Sequence, residues 1–317
     1  MALLGIDLGG TKLALGVFDE TGNIIQKKNI PLEQKKGDEV AGLITDQIIE
    51  LQADYLSNGN TINAIGIAVP GIYHIKTGRV WAPNIAGWDD YPLLEEIKKI
   101  SGEAAVVIDS DRACYILGEQ WQGNAKECND AIFLSVGTGI GAGILINGNV
   151  LRGQHDIAGA IGWMALNKPF KDEFIQCGCF ESYASGEGIP KLTREILEEN
   201  INYSGELKNI SPEKITCNNV FAAYENKDPI AIKVIECCIE YWGMAVANLV
   251  SLFNPEKIIL GGGVFGPAIQ LIPAIKTEAS KWAQPISMKQ VEITSSRLGG
   301  DAGLYGAAFL ALHSIIK

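Results

Sequence analysis

Apolar residues come in short alternating blocks along the first third of the chain. Residues 3–8, 13–18 and about 23–30 read as strands, with Leu13, Leu15 and Val17 alternating, and Asp19-Glu20-Thr21-Gly22-Asn23 is a turn, so a three-stranded meander is predicted. From Asp38 to about Tyr55 the spacing changes: Val40, Leu43, Ile44, Ile48, Ile49 and Leu51 recur at the helical period. Ala64 to Val69 is a continuous apolar run stopped by Pro70-Gly71, as in a buried strand. A helix from Pro92 to Ile100 and a strand from Ala104 to Ile108 follow. That strand delivers Asp109, Ser110 and Asp111 at its carboxyl end, where open α/β sheets bind ligands.

After Asp130 a second hairpin opens. Helices are predicted near Glu181 to Asn200, Asn218 to Glu225 and Ile230 to Phe253, with strands at Lys257 to Leu260 and Val291 to Thr294 and an apolar C-terminal helix from Ala302 to Ile316. The polar stretch Asn202 to Thr216 is the expected mobile insert. The order β-β-β-α-β-α-β followed by another hairpin predicts a duplicated α/β unit, repeated in architecture and not in sequence. No linker rich in Pro, Gly or Ser intervenes, so the two halves are expected to meet closely.

Two glycine-rich turns bear the chemistry: Asp7-Leu8-Gly9-Gly10-Thr11-Lys12 and Val136-Gly137-Thr138-Gly139-Ile140-Gly141. Each joins two strands. Glycine there permits positive φ and lets backbone N–H groups approach a phosphate, and Thr11 or Thr138 adds a hydroxyl donor. Strand turns also use glycine for steric reasons alone, so the pair is more informative than either member. No Gly-x-x-x-x-Gly-Lys-Ser/Thr occurs, and neither turn opens a helix as a dinucleotide fingerprint requires. Phosphate binding by paired hairpins is the expectation.

With 317 residues, 47% of them hydrophobic, the chain can form two domains with proper cores. A net charge of −11 opposes nucleic-acid backbone and anionic membranes as partners. No apolar run is long enough to span a bilayer, and no basic region precedes an apolar stretch at the N-terminus, so a cytoplasmic location is expected. Seven cysteines, an odd number, suit reduced thiols better than a disulfide framework.

Further segments complete a pattern: Gly66-Ile67-Ala68-Val69-Pro70-Gly71, Ala82-Pro83-Asn84, Gly178-Cys179-Phe180-Glu181-Ser182-Tyr183, Gly261-Gly262-Gly263-Val264-Phe265 and Gly300-Asp301-Ala302-Gly303-Leu304-Tyr305-Gly306. Together with the two turns, and in this order over essentially the whole chain, they resemble the ROK family of bacterial sugar kinases and related repressors, within the actin-like ATPase superfamily. The resemblance implies an α/β fold of duplicated, ribonuclease H-like domains with mixed sheets flanked by helices and a cleft between them. Residues 1–115, completed by the helix at about 303–317, would form the N-terminal domain, and 116–302 the larger C-terminal one.

It also implies transfer of the γ-phosphoryl group of ATP to a hydroxyl of a hexose or hexose derivative, with Asp111 as general base. Asp7 would hold Mg²⁺, through water. Gly9, Gly10, Thr11 and Lys12 would line the phosphates with Gly137, Thr138 and Gly139, and Gly261, Gly262, Gly263 and Val264 would pass the adenosine. A lysine beside a hairpin is more often merely exposed than functional, which applies to Lys12. Gly71, Asn84, Ser110, Asp111, Trp163 and Glu181 are the implied sugar-site positions. Family members form dimers or tetramers, although no interface signature stands in these residues.

The chain departs from the family pattern in three places. Ala-Gly-Glu-x-Gly-His becomes Ala158-Gly159-Ala160-Ile161-Gly162-Trp163, losing a Glu and a His that contact sugar. Of the zinc motif Cys-x-Cys-Gly-x-x-Gly-Cys-x-Glu, only Cys179 stands at a ligand position, and Phe174 occupies another. Cys177 as a shifted ligand would leave two thiols without a neighbouring imidazole, a poor tetrahedral site, so zinc is not expected. Asn-Asp-x-Asn becomes Ser110-Asp111-Arg112-Ala113. Such losses shift specificity, so glucose is not carried over as the substrate. His155 and Asp156 are candidates to compensate, or are simply exposed. A catalytically silent sugar or nucleotide sensor is the alternative; a repressor needs an N-terminal DNA-binding extension, whereas strand-like sequence begins at Leu3.

Overall fold

A computed structural model describes residues 1–316. In chain order it contains β1 (Ala2–Leu8), β2 (Lys12–Asp19), β3 (Ile24–Pro31), α1 (Asp38–Ser57), β4 (Ile62–Val69), β5 (Ile72–His74), β6 (Arg79–Trp81), α2 (Leu93–Lys98), β7 (Ala105–Ser110) and α3 (Asp111–Gln122). There follow β8 (Ala131–Val136), β9 (Ile140–Ile146), β10 (Asn149–Val150), α4 (Phe174–Cys177), α5 (Cys179–Ala184), α6 (Gly188–Glu199), α7 (Cys217–Glu225) and α8 (Pro229–Phe253). The chain ends with β11 (Lys257–Gly261), α9 (Ile272–Trp282), α10 (Pro285–Gln290), β12 (Glu292–Ser295) and α11 (Ala302–Ile315).

Two compact units emerge. The first comprises residues 1–127, 150–158 and those from 300 onward; the second comprises 128–149 and 159–299. In the first, the sheet order is β3-β2-β1-β4-β7, with β1, β4 and β7 parallel. One face carries Leu4, Ile6, Leu8, Ile65, Ile67 and Ile108 into a core with α1 and α2. The other face is cut flat for α11. A Cβ on Gly66 would lie 1.8 Å from the Ala307 carbonyl oxygen, and one on Gly5 2.7 Å from that of Leu304, so only glycine lets the helix backbone lie this close to the sheet. Gly306 and Gly118 serve α11 against α3 in the same way, with Cβ positions 1.7 Å from Cys114 O and 2.3 Å from Ala302 O. This packing places all of α3 in the first unit, past the boundary expected at residue 115.

The second unit repeats the arrangement with sheet order β10-β9-β8-β11-β12. Its core is organised by the 25-residue α8, capped by Asp228, whose carboxylate accepts from Ile230 N at 2.9 Å and Ala231 N at 3.1 Å. Such a cap contributes about 1 kcal/mol. Trp242 is fully buried, its indole donating to Ala184 O at 3.1 Å.

Several elements differ from the sequence reading. The helix expected near 181–200 is two helices, broken where Ser185 turns extended as the cap of α5. The stretch expected to be mobile forms two 3-10 turns, Glu206–Asn209 and Pro212–Lys214, pinned by buried Leu207 and Ile215. The hairpin β5–β6, β10 and helices α3, α9 and α10 were not anticipated; the strands are too short for a period to show. No described helix is long and apolar enough to cross a membrane.

Candidate functional site

In the first unit the chemistry gathers at the carboxyl ends of β1, β4 and β7. Ala68 of β4 is in register with Asp7 on one side and Asp109 on the other, which sets both acids on the sheet face that carries α11 and α3. The Gly9 N–H donates to Lys12 O at 2.9 Å and closes the first glycine turn, while Leu32 N donates to Thr11 O at 2.9 Å. Gly10, Thr11 and Lys12 are exposed. Neither Gly9 nor Gly10 adopts positive φ. Glycine is used here for openness: the nearest atom to a Cβ on Gly10 would be Asn84 Cβ, 3.6 Å away. Gly137 and Gly139 of the second turn likewise do without the positive φ that glycine permits.

Asp111 is the first residue of α3. Its Oδ1 accepts from Arg112 N at 2.7 Å and its Oδ2 from the Tyr115 hydroxyl at 3.3 Å. Burial raises its pKa, and the Arg112 guanidinium and these hydrogen bonds oppose that rise. Ser110 caps the same helix, its Oγ accepting from Ala113 N at 3.3 Å, which leaves the hydroxyl proton free to donate. Arg112 Nη2 reaches back to Gly71 O at 3.1 Å. Gly71 itself has φ +118°, and a Cβ there would lie 2.2 Å from Trp81 O, so this turn requires glycine.

Asp7 has no hydrogen-bond partner among the described residues. Burial, with the Asp111 carboxylate nearby, pushes its pKa up to about 7, and Lys12 opposes the rise. Asp109 is buried; its Oδ1 accepts from Ser110 N at 2.8 Å and its Oδ2 pairs with Arg152 Nη1. The unit thus joins Asp7, the first glycine turn, Gly71, Asn84, Ser110 and Asp111.

In the second unit the Gly137–Gly139 turn is fastened from outside. Gly137 N donates to Gly139 O at 2.9 Å, Gly186 N donates to Gly137 O at 2.7 Å, and Ile140 N donates to Glu181 Oε2 at 2.6 Å. Glu181 therefore holds the hairpin, and its pKa is raised by burial. A Cβ on Gly139 or Gly162 would come within 2.7 or 2.8 Å of the same oxygen, so both glycines make room for this carboxylate. Gly262 takes φ +89° with its Cβ position 2.4 Å from Val136 O, and Gly263 faces open space. Val264 is buried and lies 3.6 Å from the Cβ position of Gly186. A cavity of about 690 Å³ opens beside exposed Thr138, lined also by Glu181, Gly186, Lys191, Arg194 and Thr216.

Phe174 sits in the core against Tyr183, ring centroids 5.8 Å apart. Cys179 is buried, Cys177 Sγ lies 3.2 Å from Ser182 Oγ, and Trp163 is 55% exposed. Among the described residues no three His, Cys, Asp or Glu side chains converge to hold a metal. Sequence reasoning missed Tyr115, Arg152 and Gly303. The i, i+4 spacing of Asp111 and Tyr115 on a helix was an available signal; Arg152 and Gly303 meet their partners only through the fold.

Two such α/β units, each opening on a glycine hairpin, define the architecture of the actin-like ATPase superfamily. The ROK family profile matches residues 3–314, and the chain belongs to the ROK family. It is 31% identical over 315 residues to a glucokinase of Halalkalibacterium halodurans, covering 97% of this chain and 94% of that one. Among solved structures it is similar to a ROK family transcriptional regulator, a homolog of the E. coli MLC protein, with TM-score 0.86 and 26% identity over 98% of this chain and 78% of the other. It is also similar to the Streptomyces griseus glucokinase in complex with glucose and AMPPNP, with TM-score 0.77 and 27% identity over 99% of this chain and 100% of that one.

Proposed function

We propose that the protein is an ATP-dependent sugar kinase that transfers the γ-phosphoryl group to a hydroxyl of a hexose or hexose derivative. The observation that carries this reading is Asp111: a carboxylate at the first turn of α3, held by Arg112 N and Tyr115 Oη, in the same unit as Asp7 and the first glycine turn. Asp111 accepts the hydroxyl proton as the sugar oxygen attacks the γ-phosphorus; the bond from phosphorus to the bridging oxygen breaks, and ADP leaves. The partial positive charge of the α3 N-terminus favours the carboxylate form that this task needs. Gly71, Asn84 and the Ser110 hydroxyl offer the acceptor one glycine turn and two polar side chains. In the second unit the cavity beside Thr138 suits the nucleotide, with Gly137 and Gly139 toward its phosphates and Val264 toward adenosine.

Mg²⁺ fits the site. Asp7 is a half-buried carboxylate without a protein partner among the described residues, and a cation held through water and phosphate oxygens needs one such acid and no cluster of three. When bound, Mg²⁺ would neutralise charge on the phosphate oxygens. A structural zinc is not part of this reading. The free cysteines accord with the cytoplasm, where ATP is supplied.

A silent sensor is the second reading, favoured by Ala160 and Trp163 where the family carries Glu and His. One assay separates the two: ADP release with ATP and Mg²⁺ across hexoses, hexosamines and their N-acetyl forms, beside Asp111→Asn. Turnover that needs a sugar and falls by about 10²–10⁴-fold in the variant supports the kinase. Tight ATP binding with no turnover on any sugar supports the sensor.

A further inference from the structure

Residues 150–158 leave β10 and form a strap that belongs to the first unit, although the residues on either side belong to the second. The strap closes on itself through Ala158 N to Arg152 O at 3.0 Å. It is fastened at two points: Asp156 Oδ2 accepts from Ile75 N at 3.3 Å, beyond the end of β5, and Arg152 Nη1 pairs with Asp109 Oδ2. Asp109 is 3% exposed, and its Oδ2 has no acceptor role beyond that ion pair. Its other oxygen takes the N–H of Ser110, the cap of the helix that Asp111 begins. A single carboxylate therefore links the strap to the two residues that precede and carry the base.

We propose that Arg152 is a positioning residue: by pairing with Asp109 it fixes the carboxyl end of β7, and with it Ser110 and Asp111, so that seating of the strap and alignment of the base are one event. An unpaired buried carboxylate is costly, so without Arg152 the end of β7 shifts to let Asp109 reach water, and the base moves with it. A displacement of an ångström in a reacting group is enough to cost two orders of magnitude in rate.

The turnover arm of the test rests on the kinase reading; the exchange arm does not. Arg152→Met is expected to lower kcat by about 100-fold with KM for ATP within about twofold of the parent protein. Arg152→Lys, which keeps a cation against Asp109, should retain most of the rate. Adding Asp109→Asn to Arg152→Met removes the stranded charge and should recover roughly tenfold. In parallel, hydrogen–deuterium exchange of residues 105–112 should quicken in Arg152→Met and slow again in the double variant, with or without a sugar substrate in hand. Exchange and kcat both unchanged in Arg152→Met, or a double variant no better than the single one in either measurement, overturns the proposal. If the parent protein phosphorylates no sugar, the kinase reading fails and the exchange data alone decide the bracing role.

Discussion

The α-carbon of Gly303 faces the carboxylate of Asp7 so closely that a Cβ on it would lie 2.6 Å from one oxygen and 2.7 Å from Cγ. The first turn of α11 thus forms one wall of the Asp7 site, and the wall has no room for a methyl group. Gly303→Ala should push the Asp7 carboxylate aside, raise the Mg²⁺ concentration needed for half-maximal turnover, and lower kcat by roughly 10–100-fold. A metal titration of ATP turnover checks this, and an unaltered Mg²⁺ dependence would count against Asp7 as the cation's ligand.

Asp7 also makes stability depend on pH in a direction opposite to that of most carboxylates. Its pKa is raised from 3.8 to about 7, so between these values the folded state binds more protons than the unfolded one. Its contribution is fully present below about pH 4 and is lost as pH rises through about 7. Without Mg²⁺ and nucleotide, the Tm component owing to Asp7 should fall between about pH 4 and pH 7. Asp7→Asn should flatten that dependence, and thermal melts across the range measure it.

Catalysis should titrate through Asp111. Burial raises its pKa, and only the deprotonated form accepts a proton, so the acidic limb of kcat/KM should lie above the ordinary carboxylate range. The Tyr115 hydrogen bond opposes the rise, and Tyr115→Phe should move the limb to still higher pH. A pH–rate profile of the two proteins decides.

Glu181 holds the second glycine hairpin through Ile140 N. Glu181→Ala strands that donor and empties the space that Gly139 and Gly162 leave for the carboxylate, at a cost of about 1–3 kcal/mol. KM for ATP should rise by about 5–150-fold, the equivalent of that energy, whereas Glu181→Gln, which keeps an acceptor oxygen, should change it little. Initial rates against ATP concentration distinguish this role from a contact to sugar alone, which would move only the sugar KM.

Phe174 fills core volume beside Tyr183 at a position where the family carries a zinc ligand. The purified protein should contain substoichiometric zinc by elemental analysis, and a chelator should leave its Tm unchanged. Phe174→Ala should destabilise by about 3–5 kcal/mol, which a denaturant melt would register.

Much of the fold was readable from local pattern. The meander, α1, β4 and α8 carry their period over enough residues to be unambiguous, and the capping and turn residues at Asp228 and Gly22 act within a few positions of the elements they end. The break between α5 and α6 has a local signal in Ser185-Gly186-Glu187-Gly188, which a reading of one helix near 181–200 passes over. The fold adds a hydrogen bond there from Gly186 N to Gly137 O, far away in sequence.

The sequence by itself determined which residue types are available to the chemistry: the two glycine hairpins, the acid at the end of β7, the missing Glu and His, and the family to which the chain belongs. These are legible because each depends on a few consecutive residues whose backbone or side chains act together. Only the tertiary structure decided how those residues are held. Asp109 meets Arg152, Arg112 meets Gly71, Gly303 meets Asp7 and Glu181 meets Ile140 across separations of 40 to about 300 positions. Of the hairpin glycines, Gly139 is a place where a carboxylate comes too close for a side chain, whereas Gly10 and Gly137 have room for one. Electrostatics and close packing act through space, and their partners are fixed only when strands pair and helices settle on the sheet.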